Sequence, residues 1–422
     1  MKHIAQITLF PFEGKYGGPV GVIKRLYSRA NIFMHHGYNI VPISLSYFIG
    51  GERTYTTHKD TTRDDDGTQT LKTFLSRLSK LRILKELKTS YDMLSKTYLK
   101  IPSTLASLGV TKYINDEYDL VHAQDPFTYY VLIKAGVDAH RMILSIHSPG
   151  AASKELTRRL NTYRYGMQYL LARHIEVKSI LSCRALALPS VSSLILILND
   201  IGLLHLKDQI KPKTYIVYNG VEPLLKSFSL DIKHAMKSYL IQVLNLPIET
   251  RYIVTTIGRH VPEKGVDIFV HTAKKVYDKY GEKVQFLLLG DGPLRTILMK
   301  VRSPNCRILG RVTEELKHSI LLGTDVYMAP NRVSAFDFAL LEAMSAGCAV
   351  VSTNRGGNAE AVLGAGIITK CSYFELLKAL DYILSDDMIL TDLKIRSYNK
   401  YLKEFTIDRM ILRYVKMYNE LI

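Results

Sequence analysis

The chain has 422 residues, enough for two or three domains with large cores. Hydrophobic residues make up 47% and charged residues 23%, an ordinary globular balance, and no apolar run is long enough to span a membrane. Four scattered cysteines without CxxC or metal spacing favour buried or idle thiols in a reducing compartment over a disulfide framework, while a formal net charge of +17 predicts attraction to a membrane surface, a nucleic acid or a phosphorylated substrate.

Residues 4–10 form a short apolar run that ends in Pro11, which reads as a first buried strand and not as a signal peptide. A glycine-rich turn containing Gly17 and Gly18 follows, then helical periodicity over 22–34 and a second strand over 39–43. Such a turn lets a ligand approach the backbone closely, although it also serves packing alone. Residues 51–70 are polar and include Asp64-Asp65-Asp66. No buried strand leads into them, so a solvated loop is favoured over an acidic metal motif.

Residues 71–100 are amphipathic and basic. Leu71, Phe74, Leu75, Leu78 and Leu81 recur at three- and four-residue steps, with Lys72, Arg77, Lys80 and Lys85 between them. Two readings stand side by side: a core-facing helix with a solvated basic face, or a helix that docks on anionic lipid. Residues 118–127 read as a strand with a polar tip, and 142–146 as a strand ending in His147-Ser148-Pro149-Gly150. A histidine at a strand's carboxyl end points into the ligand crevice of an open α/β sheet. Residues 151–184 are helical and basic, 185–190 a strand, and 214–217 a short strand before Asn219-Gly220-Val221.

After a boundary near 212, residues 252–257 form a strand that leaves through Gly258-Arg259-His260-Val261-Pro262-Glu263-Lys264-Gly265. Arg259 offers a planar fork and Lys264 a point charge, a pairing suited to two phosphates. Residues 284–289 are a strand before the turn Gly290-Asp291-Gly292-Pro293, and 314–322 a helix. Residues 326–329 are a buried strand, 340–346 a helix closed by Gly347, and 349–352 a second strand leaving through Arg355-Gly356-Gly357. The loop 331–338 would present helix N-terminal N–H groups to an anion, and Glu342, one turn in, a carboxylate to a hydroxyl pair. Residues 405–422 form an amphipathic helix.

The string Glu342-Ala343-Met344-Ser345-Ala346-Gly347 resembles the nucleotide-sugar signature of the retaining GT-B glycosyltransferases of family 4. Further likenesses are Arg259 with Lys264, the element 308–312, Asn219-Gly220-Val221, His147 with its Pro-Gly, and the segment 118–127, in which Gln124 replaces the family's central histidine. The resemblance implies an α/β GT-B fold of two Rossmann-like, doubly wound domains facing a central cleft: 1–211 for the acceptor, with the basic helical insertion, 212–404 for the donor, and 405–422 crossing back to the first.

The implied reaction moves a sugar, with retained configuration, from a nucleoside-diphosphate sugar (UDP favoured over GDP) to a hydroxyl of a glycan or lipid-linked acceptor. Cell-surface polysaccharide synthesis follows as the expected setting. The implied catalytic residues are His147, Arg259, Lys264 and Asp337. Gly17, Gly18, Val312, Ser334, Phe338, Ala339 and Glu342 complete the donor site, with no metal or cofactor. Residue 334 departs from the pattern: the family has its first glutamate there, and Asp337 is a candidate substitute. A non-catalytic GT-B partner subunit and a nucleotide-sugar epimerase are the alternatives. No nucleic-acid module is present, so no nucleic-acid partner is expected. The expected location is cytoplasmic, peripheral at the inner membrane face if the basic helix binds lipid.

Overall fold

The computed structural model describes residues 1–9, 19–45, 110–159 and 167–422. Gly17, Gly18, the three aspartates 64–66 and the basic segment 71–100 lie outside the described residues. The chain forms two compact units. The first comprises Met1–Leu188, Ile197–Tyr215 and Met417–Ile422; the second comprises Pro189–Leu196 and Ile216–Lys416. No described helix is long and apolar enough to cross a membrane.

The first unit is built on Lys2–Thr8 (β1), Tyr38–Ser44 (β2), Leu120–Ala123 (β3), Met142–Ser145 (β4), Ala185–Leu188 (β5) and Thr214–Ile216 (β6). Their order in the sheet is β2-β1-β3-β4-β5-β6, and β1 pairs in parallel with both β2 and β3. Every residue of β3, β4 and β5 is buried, as strands covered on both faces must be. The polar tip after β3 caps a helix: the Asp125 carboxylate accepts from the Phe127 and Thr128 N–H groups at 3.0 and 2.8 Å. Pro126 opens that helix and Gly136, at φ 98°, closes it. The single helix expected over 22–34 is two, Pro19–Ser28 and Ala30–His35, because Arg29 between them (φ −123°, ψ 31°) leaves the helical region.

The second unit is built on Tyr252–Ile257 (β7), Val284–Leu289 (β8), Cys306–Gly310 (β9), Val326–Ala329 (β10), Ala349–Thr353 (β11) and Ile367–Thr369 (β12). The order is β12-β11-β10-β7-β8-β9, with every pairing parallel. The first strand is central, two follow on one side and three on the other: the doubly wound order of a dinucleotide-binding sheet. Alternate strand residues feed two cores. Val254, Phe286, Met328 and Val351 join the helices Val266–Tyr280 and Tyr373–Leu384 on one face. Tyr327, Ala329 and Val350 join the helix Phe338–Ser345 on the other. Phe269 meets Phe286 edge-on, with ring centroids 5.2 Å apart.

At the amino end of β10, buried Asp325 accepts from Lys394 and Lys237, both at 2.7 Å, and from the Ile253 N–H at 3.0 Å. Lys233, pushed down to about 8 by burial, donates to the carbonyls of Leu322 and Ala346. These bonds hold the foot of the sheet, opposite the loops described next. All four cysteines are free, with Cys183, Cys306 and Cys348 buried.

Candidate functional site

In a doubly wound sheet the ligand crevice opens beyond the carboxyl ends of the two strands where the order reverses, here β7 and β10. The chain leaves β7 at Ile257 and ends that loop in a tight turn, Pro262–Lys264. It leaves β10 at Ala329 and enters the helix Phe338–Ser345 with Asp337 as the residue before it. Gly265 stands at φ +64°, and a Cβ there would lie 1.9 Å from the Pro330 carbonyl oxygen. The two loops therefore touch backbone to backbone. Arg332 reinforces the contact through two bonds to Asp267, at 2.7 and 2.6 Å, and one to the Pro262 carbonyl at 2.7 Å.

That closeness brings Lys264 Nζ to 2.7 Å from Asp337 Oδ2. The same oxygen accepts from Asn331 Nδ2 at 2.8 Å and Asn358 Nδ2 at 3.2 Å, and Asn358 Oδ1 accepts from the Asp337 N–H at 2.9 Å. Burial disfavours the carboxylate, but the Lys264 charge and these hydrogen bonds outweigh it and hold Asp337 below the usual carboxylate range. Asn331 and Asn358 carried no role in the sequence reading; asparagine two residues past Gly356 was the only local signal. Arg259 is exposed and, among the described residues, makes no side-chain hydrogen bond or ion pair.

Ser334 is 1% exposed. Its hydroxyl donates to the Arg355 carbonyl at 2.7 Å and accepts from the Asn358 N–H at 3.2 Å. The turn around it is closed by Gly356, at φ +64°, whose Cβ would stand 1.9 Å from the Ser334 carbonyl oxygen. The serine proton is thus committed to the loop's own backbone.

Glu342 lies one turn into the helix, with Lys317 Nζ 3.1 Å from its Oε2. Lys317 also reaches Glu314 at 2.7 Å. The side chains of Lys317 and Glu342 are 15% and 14% exposed, so the pair is largely withdrawn from water. Burial lowers the Lys317 pKa, but the two glutamates outweigh it and the net direction is up. Phe338 and Ala339 pack their side chains on the core of that face, and Val312 packs on the Leu240–Ile253–Leu287 cluster. What these three offer a ligand is backbone. His260 is fully buried and neither ring nitrogen has a hydrogen-bond partner among the described residues.

In the first unit, His147 follows β4. Its Nε2 is 2.8 Å from Gln124 Oε1, and its buried Nδ1 has no partner among the described residues. Burial pushes this imidazole down to about 4, so it is neutral near pH 7.

Residues 251–386 match the family model described as Glycosyl transferases group 1. This stretch is a group 1 glycosyl transferase domain. The group 1 domain includes Arg259, Lys264, Lys317, Asp337, Glu342 and Asn358. Among curated proteins, the chain is similar to the glycogen synthase of Protochlamydia amoebophila (strain UWE25), 29% identical over 143 residues, 32% of this chain and 28% of that protein. It is similar to the 2-deoxystreptamine N-acetyl-D-glucosaminyltransferase of Niallia circulans, 28% identical over 174 residues, 39% and 44% of the two chains. The chain spans less than half the length of these curated relatives. Among solved structures, sucrose-phosphate synthase from Thermosynechococcus elongatus superposes with a TM-score of 0.68 at 16% identity, over 100% of this chain and 99% of that one. Anabaena HepE in complex with UDP and glucose gives 0.64 at 15%, over 100% of both chains. At these identities the likeness is one of fold: the chain has the two-domain α/β GT-B fold.

Proposed function

We propose that the chain is a retaining glycosyltransferase of family 4, moving a sugar from a nucleoside-diphosphate sugar to a hydroxyl of a glycan or lipid-linked acceptor. The observation that carries this reading is the pairing of Lys264 with Asp337 at the switch point of a group 1 domain, with Arg259, which pairs with no other described residue, in the same loop as Lys264. As the sugar leaves, negative charge grows on the diphosphate and positive charge on the ring. Arg259 and Lys264 stabilise the first, together with the backbone N–H groups at Phe338 and Ala339. Asp337 takes the part of an aligner: it holds the Lys264 ammonium in one place, which an exposed lysine would not keep unaided. Glu342 accepts the ribose hydroxyls, the Val312 backbone lies against the base, and His147 meets the sugar, as Gly17 and Gly18 would at the diphosphate. No resident metal is needed for this arrangement of positive charge.

UDP is the favoured nucleotide, supported by the fold shared with Anabaena HepE, solved with UDP-glucose. Cell-surface polysaccharide synthesis at the cytoplasmic membrane face is the proposed setting, motivated by the +17 charge. The test is a panel of UDP- and GDP-sugars with Lys264→Ala as control, scoring released nucleoside diphosphate with and without acceptors. Release from one donor, lost in the variant, is expected. Release without any acceptor, with turnover to a free sugar, would replace the reading with an epimerase. No release and no nucleotide binding would replace it with a non-catalytic partner subunit, for which the committed Ser334 hydroxyl is the motivating observation.

A further inference from the structure

The first unit carries an unbroken line of polar side chains, and only its last member has a role in the proposed reaction. Ser145 Oγ is 2.7 Å from His122 Nε2, and His122 Nδ1 is 2.8 Å from the Tyr418 hydroxyl. That hydroxyl accepts from Gln6 Nε2 at 2.6 Å, and Gln6 Oε1 accepts from Gln124 Nε2 at 2.5 Å. Gln124 Oε1 then stands 2.8 Å from His147 Nε2. Gln6, His122, Gln124 and Ser145 are each 0% exposed, so water does not compete for these bonds.

Each link dictates the next. Gln124 gives its amide nitrogen to Gln6, so the atom it turns to His147 is a carbonyl oxygen, which only accepts. His147 Nε2 must therefore carry the hydrogen. At the other end, Gln6 donates into the Tyr418 oxygen, so the phenol proton is directed to His122 Nδ1, and His122 donates from Nε2 to Ser145. Reversing the two amides would reverse every donor along the line. The amide directions thus decide the tautomer of a histidine two links away.

We propose that this line locks His147 as the Nε2–H tautomer and so presents Nδ1 as a hydrogen-bond acceptor to a hydroxyl of the transferred sugar, with Gln124 and Tyr418 as positioning residues. The sugar half of this statement rests on the transferase reading; the tautomer half does not. Nδ1 is buried and without a partner among the described residues, so it has a hydrogen bond to gain from a donor-bearing ligand. A neutral, lone-pair-bearing nitrogen accepts from a hydroxyl and repels a carbonyl or carboxylate oxygen at the same place. The burial that keeps both imidazoles neutral agrees with this assignment.

Long-range proton–nitrogen NMR on the full chain, labelled at the histidine nitrogens, tests the tautomer directly. The His147 signals are identified by their loss in His147→Gln. A pyrrole-type Nε2 and a pyridine-type Nδ1 at pH 7 are expected, with a mixture of tautomers in Gln124→Leu and Tyr418→Phe. An Nδ1–H form or an imidazolium in the unmodified protein would overturn the proposal. With the donor found by the panel, Gln124→Leu is expected to lower kcat about tenfold with little change in KM, the loss of one well-placed hydrogen bond. Gln124→Glu keeps an acceptor oxygen facing Nε2 and is expected to retain most of that activity. Unchanged kcat in Gln124→Leu despite a shifted tautomer would remove the sugar contact. Failure of every donor in the panel would sink the transferase reading while leaving the NMR result to decide the tautomer.

Discussion

Lys264 Nζ and Asp337 Oδ2 meet at 2.7 Å although 73 positions separate them in the chain. The contact exists because β7 and β10 are neighbours at the switch point, and because Gly265 lets their loops touch. A lysine so held is a fixed charge rather than a mobile one. Lys264→Ala is expected to lower turnover by roughly 10²- to 10³-fold, the usual loss for a group that meets developing charge. Asp337→Asn keeps the hydrogen-bonding shape but frees the lysine, and is expected to cost less. Full activity in Lys264→Ala, measured as released nucleoside diphosphate, would refute the diphosphate assignment.

Glu342 and Lys317 form a second, largely buried pair. Under the proposed roles, Glu342→Ala weakens binding of UDP but not of inorganic pyrophosphate, whereas Lys264→Ala weakens both. Titration calorimetry with the two ligands separates them. Lys317→Met leaves the Glu342 carboxylate in a partly dry site without its cation. A double-mutant cycle on stability is expected to give a coupling of roughly 1–3 kcal/mol. A coupling near zero would show that the pair is ornamental.

Ser334 spends its hydroxyl on Arg355 and Asn358. Ser334→Ala is therefore expected to act on stability, by about 1–3 kcal/mol for the buried groups left unpaired, and to change donor KM little. Ser334→Glu restores the family residue in sequence but places a carboxylate against Gly356, whose α-carbon side is already crowded by the serine carbonyl and hydroxyl. It is expected to melt at lower temperature than the unmodified chain. A Ser334→Glu variant that is both stable and faster would show that the loop opens in a way its hydrogen bonds oppose.

His122 gives stability a pH dependence. Burial, then the neighbouring His147 charge, depresses its folded pKa to about 3, against 6.5 for the free group. Between those values the unfolded chain binds more protons, so stability rises with pH and is lost as pH falls below about 6.5. From pH 6.5 to 5 the expected loss is about 2 kcal/mol for this one group. Asp337 adds a further loss only at lower pH: its contribution is present above the free carboxyl value of 3.8 and disappears as pH falls through its depressed folded value. Urea unfolding at pH 7 and pH 5, in the unmodified chain and in His122→Gln, checks this. Equal losses in both proteins would assign the pH slope elsewhere.

The sequence by itself determined the elements of the second unit closely. The strands over 252–257 and 284–289 stand where apolar runs and glycine turns placed them, because strand burial and turn chemistry are local properties. The order of motifs along the chain also carried the group 1 likeness and the GT-B fold. It placed the positive residues Arg259 and Lys264 at the end of β7, since a strand–turn–helix junction is legible one segment at a time. Local signals failed where neighbours come from afar. Nothing in the periodicity around Arg29 announced the broken helix. Asp337 was read for its own charge, yet two of its partners, Lys264 and Asn358, come from the segments after β7 and β11, which only the strand order brings to the loop that holds Asn331 and Asp337. Lys317 carried no role in the sequence reading, and Gln124 looked like a bare substitution for histidine. The Asp325 foot and the line from Ser145 to His147 join residues up to 412 positions apart. Buried polar groups must find partners, but which partner is available depends on packing, and packing is a property of the tertiary structure alone.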